Sequence, residues 1–495
     1  MLNKYFLGID QGTTGTTAIL FDENFVAASR GYCETPCHYP APGLVEHKAE
    51  EVLDSVKTAV SAALKFADAV AGDIICIGID HEGESALMWD AETGRAIAPV
   101  ITWQDQRTVA TAKYLEQTQG EMIYKNTALH SDCYFSATKL QWLMQNVPEA
   151  ATLRDQGRLM AGTLDSWILW NLTGGKSYAT DASTASRTQL CNIRAGKWDE
   201  ELLELYGLRG VRLPEIRDSA APFGQSDPDA FLGIKAPIAA LMCDQQSALL
   251  GQGCLQPGML KTTYGTGCFM LMNTGESPVL SESGLLTTIA WQLNGKRTYA
   301  LDGGVHIAGA ATQWLRDGLG IIRAAQETGA LAESVKDNGG VYFVPAFTGL
   351  SAPHRDNSAT GMMIGLTGGV TKAHIVRATL ESTAYQVCDL LAAIEKDSDK
   401  PITLMRCDGG ATSNDFLMQF QADISGVPLE IPAQKDTTAL GIAFLAAYGV
   451  GEKDLADLSS LHKHCRRFDP MMSEDQRQTL LAHWKQAVER CKGWN

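Results

Sequence analysis

Along the chain, short apolar runs bounded by Gly, Pro, Asp and Asn alternate with longer stretches in which apolar positions recur every three or four residues. The first pattern predicts buried strands and the second amphipathic helices, so their alternation predicts an α/β layered architecture. Tyr5 to Asp10 reads as a strand, Gln11 to Gly15 as a tight turn rich in Gly and Thr, and Thr16 to Phe21 as a returning strand. The same order recurs in Leu260 to Tyr264, Gly265-Thr266-Gly267 and Cys268 to Met272. Helical periodicity covers Glu50 to Lys65 and Asn414 to Ile424. Two similar hairpins half a chain apart predict a duplication, with lobes over residues 1–250 and 251–495. The break falls where Gly and Pro257 punctuate Gly251 to Gly258.

Composition narrows the class of partner. With 495 residues, 45% of them hydrophobic and 20% charged, the chain has the makeup of a multidomain globular protein rather than a disordered or fibrous one. It carries 41 Lys and Arg against 57 Asp and Glu, a net charge of −16, so the basic footprint of a nucleic-acid binder is missing. An anionic ligand would have to be held by local amides, hydroxyls and a metal. Uncharged runs such as Gln245 to Leu260 and Thr437 to Gly451 are too short and too broken by glycine to predict a membrane span. Twelve scattered cysteines, of which only Cys33 and Cys37 are close together, predict reduced thiols and a cytoplasmic address. His462, His464 and Cys465 sit among Lys463, Arg466 and Arg467 and read as a solvated basic face rather than a metal site.

Candidate chemistry begins at the two hairpins. A Gly- and Thr-rich turn offers backbone amides and hydroxyls to phosphate oxygens with few side chains in the way, although either turn alone could be an ordinary hairpin. Asp10, ending the first strand, is positioned to hold Mg²⁺ or its water shell beside such phosphates. Gly175-Lys176-Ser177 is not a P-loop, because Trp170 stands where the first glycine is required, and no dinucleotide-binding glycine pattern opens a helix. A strand over Ile402 to Met405 leads to Asp408-Gly409-Gly410-Ala411 and a helix from about Asn414, which can cap that helix or bond a base or ribose. The apolar strand Ala236 to Met242 runs into Cys243-Asp244-Gln245-Gln246. A carboxylate there is either a helix N-cap or a catalytic group at the carboxyl end of a strand.

These segments resemble the FGGY family of carbohydrate kinases, and within it the members that phosphorylate glycerol. The resemblance is carried by Asp10-Gln11-Gly12-Thr13-Thr14, Trp103-Gln104-Asp105, Tyr134-Phe135-Ser136, Asp244-Gln245-Gln246 and Thr263-Tyr264-Gly265-Thr266-Gly267-Cys268-Phe269. Gln313-Trp314-Leu315-Arg316-Asp317, Pro345 to Leu350 and Asp408 to Ala411 extend it over nearly the whole chain. It implies a two-lobe actin-like ATPase fold of ribonuclease H type, with a duplicated core and an interlobe cleft, and ATP-dependent phosphorylation of a small polyol. By resemblance Asp244 is the general base. Gly83, Glu84, Trp103, Tyr134, Asp244, Gln245 and Phe269 surround the polyol. Gly12, Thr13, Thr14, Gly15, Thr17, Thr266, Gly309, Gln313, Gly410 and Asn414 hold ATP, and Asp10 the Mg²⁺. A homo-oligomer, dimer or tetramer, is the family expectation.

Three departures qualify this expectation. Gly83 stands where the glycerol-phosphorylating members carry an arginine that grips a substrate hydroxyl, which predicts a lost grip and spare space, with His81 or His306 reaching in. Thr17 stands where an arginine is common near the phosphates. His354-Arg355 replaces an aromatic pair and reads as surface variation. The alternatives are therefore a kinase for another polyol or ketose, a catalytically weak nucleotide-binding regulator, and an actin-like ATP sensor.

Overall fold

The computed structural model describes residues 4–494 except Asn357, Lys435, Lys463 and His464. His464 of the His/Cys cluster therefore lies outside the described residues. Two large sheets carry the fold. The first contains β1 (Tyr5–Gly12), β2 (Gly15–Phe21), β3 (Ala27–Glu34), β4 (Ile74–His81), β5 (Ala220–Gln225) and β6 (Pro237–Cys243), in the order β5-β6-β4-β1-β2-β3. The second contains β7 (Leu260–Tyr264), β8 (Cys268–Gly275), β9 (Leu286–Leu293), β10 (Lys296–Val305), β11 (Met405–Asp408), β12 (Leu429–Pro432) and β13 (Cys465–Phe468), in the order β9-β10-β8-β7-β11-β12-β13.

The duplication expected from the hairpins is visible strand by strand. In the first sheet β1 and β2 form the hairpin, β3 continues antiparallel to β2, and β4 and then β6 run parallel on the other side. In the second, β7 and β8 form the hairpin, β10 continues antiparallel to β8, and β11 and then β12 run parallel. The central parallel strands are buried on both faces, which is why they read as apolar runs rather than alternating ones.

The helices that matter for the site are α1 (Ala49–Phe66), α2 (Asp244–Gly251), α3 (Gly309–Asp317), α4 (Lys372–Ser398), α5 (Asp415–Ser425) and α6 (Thr437–Gly449). The nearly all-apolar α6 comes late in the chain yet packs on β1, β4, β6 and α2 of the first half. Glycines permit the approach. A Cβ at Gly441 would strike the Ser247 carbonyl, one at Gly251 the Thr437 carbonyl, and one at Gly78 the Ile442 carbonyl. Phe6, Met242 and Leu249 consequently share one buried cluster with Leu271, Leu440 and Phe444, so a single core spans both halves of the chain.

One strand differs from expectation. Ile402 to Met405 was expected to be extended, but β11 begins only at Met405 and runs to Asp408. Its partner decides this: Leu260 pairs with Met405 and Thr263 with Asp408, so the ladder starts where β7 starts. The shift puts Asp408 at the strand's end. The cysteines other than Cys465 are free thiols, as expected.

Candidate active site

The carboxyl ends of β1, β4 and β6 lie side by side, and each delivers an acid. Asp10 is opposite Asp80 in the β1–β4 register, and Met242, two residues before Asp244, is also opposite Asp80. Asp244 is the first residue of α2 and receives the Gln245 amide at 2.5 Å. Its carboxylate also accepts from Cys243 Sγ at 3.7 Å and, among the described residues, takes no bond from a later helical amide, so the capping alternative lacks its usual bond.

Crowding these acids in one place shifts them all. Burial and the nearby Asp244 push the Asp10 carboxyl up to about 7 from an ordinary 3.8, although a hydrogen bond with Asp80 and, less strongly, the Arg30 charge pull the other way. Asp80 is raised well above its usual range by burial and by the charges of Asp10 and Asp244, and its buried oxygens face the Asp10 carboxyl with no donor from any other described residue. Asp244 is raised by burial and opposed chiefly by the Lys261 ammonium. That lysine sits on β7, is fully buried, and donates to Gln245 Oε1 at 2.5 Å and Thr263 Oγ1 at 3.1 Å.

A second group of residues gathers beside Asp244. Glu84 follows β4 and accepts the Arg187 Nε at 2.7 Å, while Arg187 Nη1 donates to Asp302 on β10 at 2.9 Å. The same guanidinium lies 5.6 Å from the Tyr134 ring centre, and Tyr134 meets Trp103 edge to face at 5.7 Å. Lys139 ties down the Tyr134 segment by donating to the carbonyls of Cys133, Tyr134 and Phe135 at 2.6–3.0 Å. Phe269 is opposite Gly304 across β8 and β10, where a glycine leaves room for the ring.

The β1–β2 hairpin turns on Thr13 and Thr14 between the paired Gly12 and Gly15. Thr13 Oγ1 donates to Glu82 at 2.5 Å and accepts from Trp103 Nε1 at 2.8 Å, so this turn is joined to the aromatic group. Thr17 Oγ1 accepts from Arg30 Nη2 at 3.2 Å: a guanidinium reaches this position from the neighbouring strand although position 17 carries none.

A cavity of about 750 Å³ opens between the second hairpin, α3 and the start of α5, lined by Thr266, Gly309, Gln313, Gly410 and Asn414 among others. Gly409, with φ at +92°, keeps its backbone against Tyr264, a position that a Cβ would close. Asn414 caps α5 through the Leu417 amide at 3.2 Å, as the capping alternative expected, and at the cavity wall it also donates to Thr328 Oγ1 at 3.0 Å.

The residues expected at the site therefore fall into three adjoining sets. Glu84, Trp103, Tyr134, Asp244 and Gln245 gather with Phe269 nearby. Gly12, Thr13, Thr14, Gly15 and Thr17 form the hairpin beside Asp10. Thr266, Gly309, Gln313, Gly410 and Asn414 line the cavity. Two expectations about the departures are corrected. Gly83 leaves no spare space: the nearest atom to a Cβ there is Cys243 Sγ, in clash range, followed by Arg187 Cγ at 3.6 Å. His81 does not reach that position but pairs with Thr184 Oγ1 at 3.0 Å, and His306 is exposed. His354 is not surface variation, since it bonds Asp389 at 2.9 Å, the carboxylate that also receives Trp484 Nε1.

Sequence reasoning overlooked Asp80, Arg187, Lys261 and Asp302. Lys261 left a signal, a cation in a buried strand run, where a charge is found only with partners. Asp80 and Asp302 end or interrupt strands whose register one sequence does not disclose.

Two family models cover the chain: the N-terminal domain of the FGGY family of carbohydrate kinases over residues 5–251 and its C-terminal domain over residues 260–450. The chain is 49% identical over 493 residues to glycerol kinase 2 of Thermotoga maritima, covering 99% of both proteins. It is 48% identical to the glycerol kinase of Trichlorobacter lovleyi, again over 99% of each. The crystal structure of Plasmodium falciparum glycerol kinase with ADP superposes with a TM-score of 0.93 at 33% identity, covering 99% of this chain and 98% of that one. Matching domains in both halves, full-length likeness and a shared duplicated core lead to one conclusion: the chain belongs to the FGGY family of carbohydrate kinases.

Proposed function

We propose that the protein is an ATP-dependent polyol kinase that transfers the γ-phosphoryl group of ATP to glycerol, giving glycerol 3-phosphate and ADP. The observation that carries this reading is the setting of Asp244, a partly accessible carboxylate beside Gln245, close enough to Glu84 and Tyr134 for their charges to interact, and near Glu82, which holds Thr13 of the first hairpin. Full-length relatives named as glycerol kinases support the choice of acceptor.

In this reading Asp244 accepts the hydroxyl proton as the oxygen attacks phosphorus. A base works best when its pKa approaches the working pH, and burial raises Asp244 in that direction while Lys261 keeps the ionised form accessible. Glu84, Tyr134 and Gln245 bond the substrate hydroxyls, and Trp103 and Phe269 wall its carbon chain. A polyol offers many hydroxyls and little apolar surface, so polar groups aimed at each hydroxyl supply most of the selectivity. Residues Gly12, Thr13, Thr14, Gly15 and Thr17 cradle the phosphates, and Thr266, Gly309, Gln313, Gly410 and Asn414 take the nucleoside end. The polyol is then held mainly by residues 1–250 and the nucleotide mainly by residues 251–495.

The residues at Asp10 fit a divalent cation. Asp80 has two buried oxygens that no described residue other than Asp10 engages, beside an Asp10 carboxyl raised chiefly by burial and then by the charge of Asp244, an arrangement that a cation would relieve. Among the described residues no cluster of three or more His, Cys, Asp or Glu forms a protein-only metal cage, which suits Mg²⁺ held by one or two carboxylates plus phosphate and water. Asp10 and Asp80 would hold it, and when bound it would neutralise charge on the phosphates. A cytoplasmic location and a dimeric or tetrameric assembly complete the reading, the second open to analytical ultracentrifugation.

The regulator alternative rested on cations missing at positions 83 and 17, and Arg187 and Arg30 supply guanidinium groups at both places. The deciding experiment measures ADP release from magnesium-ATP across glycerol, longer polyols and ketoses, with Asp244→Asn as control. Glycerol as the acceptor with the highest kcat/KM is the expected result. A ketose preferred over glycerol, or equal rates in the Asp244→Asn control, would overturn the proposal.

A further inference from the structure

Arg187 is buried at 3% exposure on the loop after the short helix Ala182–Ser186, with its guanidinium fork aimed at the polyol group. The fork is held from two sides. Nε goes to Glu84 at 2.7 Å and Nη1 to Asp302 at 2.9 Å, while among the described residues no group accepts from Nη2. Tyr134 and Phe135 flank the charge at 5.6 and 5.5 Å. The position next to Glu84 that another side chain could occupy is closed, because Cys243 Sγ fills the place of a Cβ at Gly83 and the Arg187 stem passes 3.6 Å from it.

We propose that Arg187 is the specificity-determining cation of the polyol site, donating from its free Nη2 to a substrate hydroxyl that Glu84 also accepts from, and so supplying the guanidinium that position 83 cannot carry. This rests on the polyol-kinase reading and deepens it. The chemistry follows from the fork. Arg presents several donors in one plane, so two can be anchored by carboxylates while a third remains for a ligand oxygen, which a lysine ammonium on a flexible stem does not reproduce. The two anchors come from different halves of the chain, Glu84 before residue 251 and Asp302 after residue 260, so the cation has its full geometry only when the halves are together. Glu84 alone would present a buried, unpaired acceptor to the substrate. With Arg187 it becomes half of a donor–acceptor pair suited to a hydroxyl, which both gives and takes a hydrogen bond.

The test compares Arg187→Gln and Arg187→Lys with the unaltered protein in steady-state assays, varying glycerol, propane-1,3-diol and ATP separately. Loss of a charge-assisted hydrogen bond raises the glycerol KM about ten- to a hundred-fold. The ATP KM is expected to stay within about twofold, and the preference for glycerol over propane-1,3-diol, which lacks the central hydroxyl, is expected to collapse. A glycerol KM unchanged in Arg187→Gln, or equal losses with both acceptors, would overturn the proposal and leave Arg187 a packing residue. If both substitutions prevent folding, Asp302→Asn removes one anchor only, and a glycerol KM raised about threefold or more supports the proposal while an unchanged one overturns it. Failure of the unaltered protein to phosphorylate any acceptor is separate, since it sinks the polyol-kinase reading before Arg187 is tested.

Discussion

The thiol of Cys243 occupies the space that a side chain on Gly83 would need, and the two residues are brought together by the pairing of Cys243 with His81 across β6 and β4. Neither can change alone. Gly83→Arg forces atoms into a filled interior, a kind of overpacking that costs about 1–3 kcal/mol. Chemical denaturation should show that loss in Gly83→Arg, and Gly83→Arg combined with Cys243→Gly should recover at least half of it. A single substitution as stable as the parent would show that Cys243 has another rotamer available.

Asp244 links activity and stability in opposite directions. Asp244→Asn removes the proposed proton acceptor and should lower kcat by about 10²–10⁴-fold. A carboxyl whose folded pKa is raised binds more protons folded than unfolded, so it costs stability progressively as pH rises from 3.8 through its folded value. The amide escapes that cost. Thermal unfolding at pH 7 should therefore give Asp244→Asn the higher Tm, with the difference closing as pH falls below 3.8, where the acid becomes protonated in both states.

The same shift is legible in kinetics. The acid limb of the kcat/KM profile reports the base in the free enzyme, and it should fall at a pH above the ordinary carboxylate value of 3.8, with rate lost as pH drops through it. Lys261→Met, which removes the opposing ammonium, should move that limb further up. A limb that stays put would detach Lys261 from the base.

Arg30 reaches the first hairpin, proposed to hold the phosphates, from β3 through Thr17 and is about half exposed. An exposed charge of this kind contributes about 0.2–1 kcal/mol. Arg30→Ala should accordingly raise the ATP KM about 1.5- to fivefold, leave the glycerol KM alone, and lose most of its effect in high salt. An effect on glycerol instead would mean that the arginine acts through the Thr13–Trp103 connection.

Asn414 serves a helix and a cavity at once. Asn414→Ala should cost about 1 kcal/mol of stability through the lost cap, read by denaturation, and should also raise the ATP KM. Asn414→Asp keeps the cap and loses the amide donor to Thr328, which separates the two contributions.

Much of this protein was determined locally and could be read from the chain. The Gly-Thr turns, the strand carrying Asp10 (which runs on to Gly12 rather than ending at Asp10), the Cys243-Asp244 junction and the Asn414 cap are each specified by a few neighbouring residues whose backbone preferences agree. The duplication was legible because both hairpins write the same pattern. What the chain could not disclose depends on register and on contacts between distant segments. Whether Asp80 stands opposite Asp10 is a matter of one residue's slip between strands some seventy positions apart. Where α6 docks is decided by glycines facing each other across α2 and α6, and the start of β11 by its partner β7. Most tellingly, Gly83 reads along the chain as a missing arginine with space around it. In the folded molecule a thiol 160 residues away fills the space, and a guanidinium 104 residues away stands beside Glu84. A hydrogen bond depends on proximity and direction, not on sequence separation, so only the tertiary structure could show which cation stands beside Glu84.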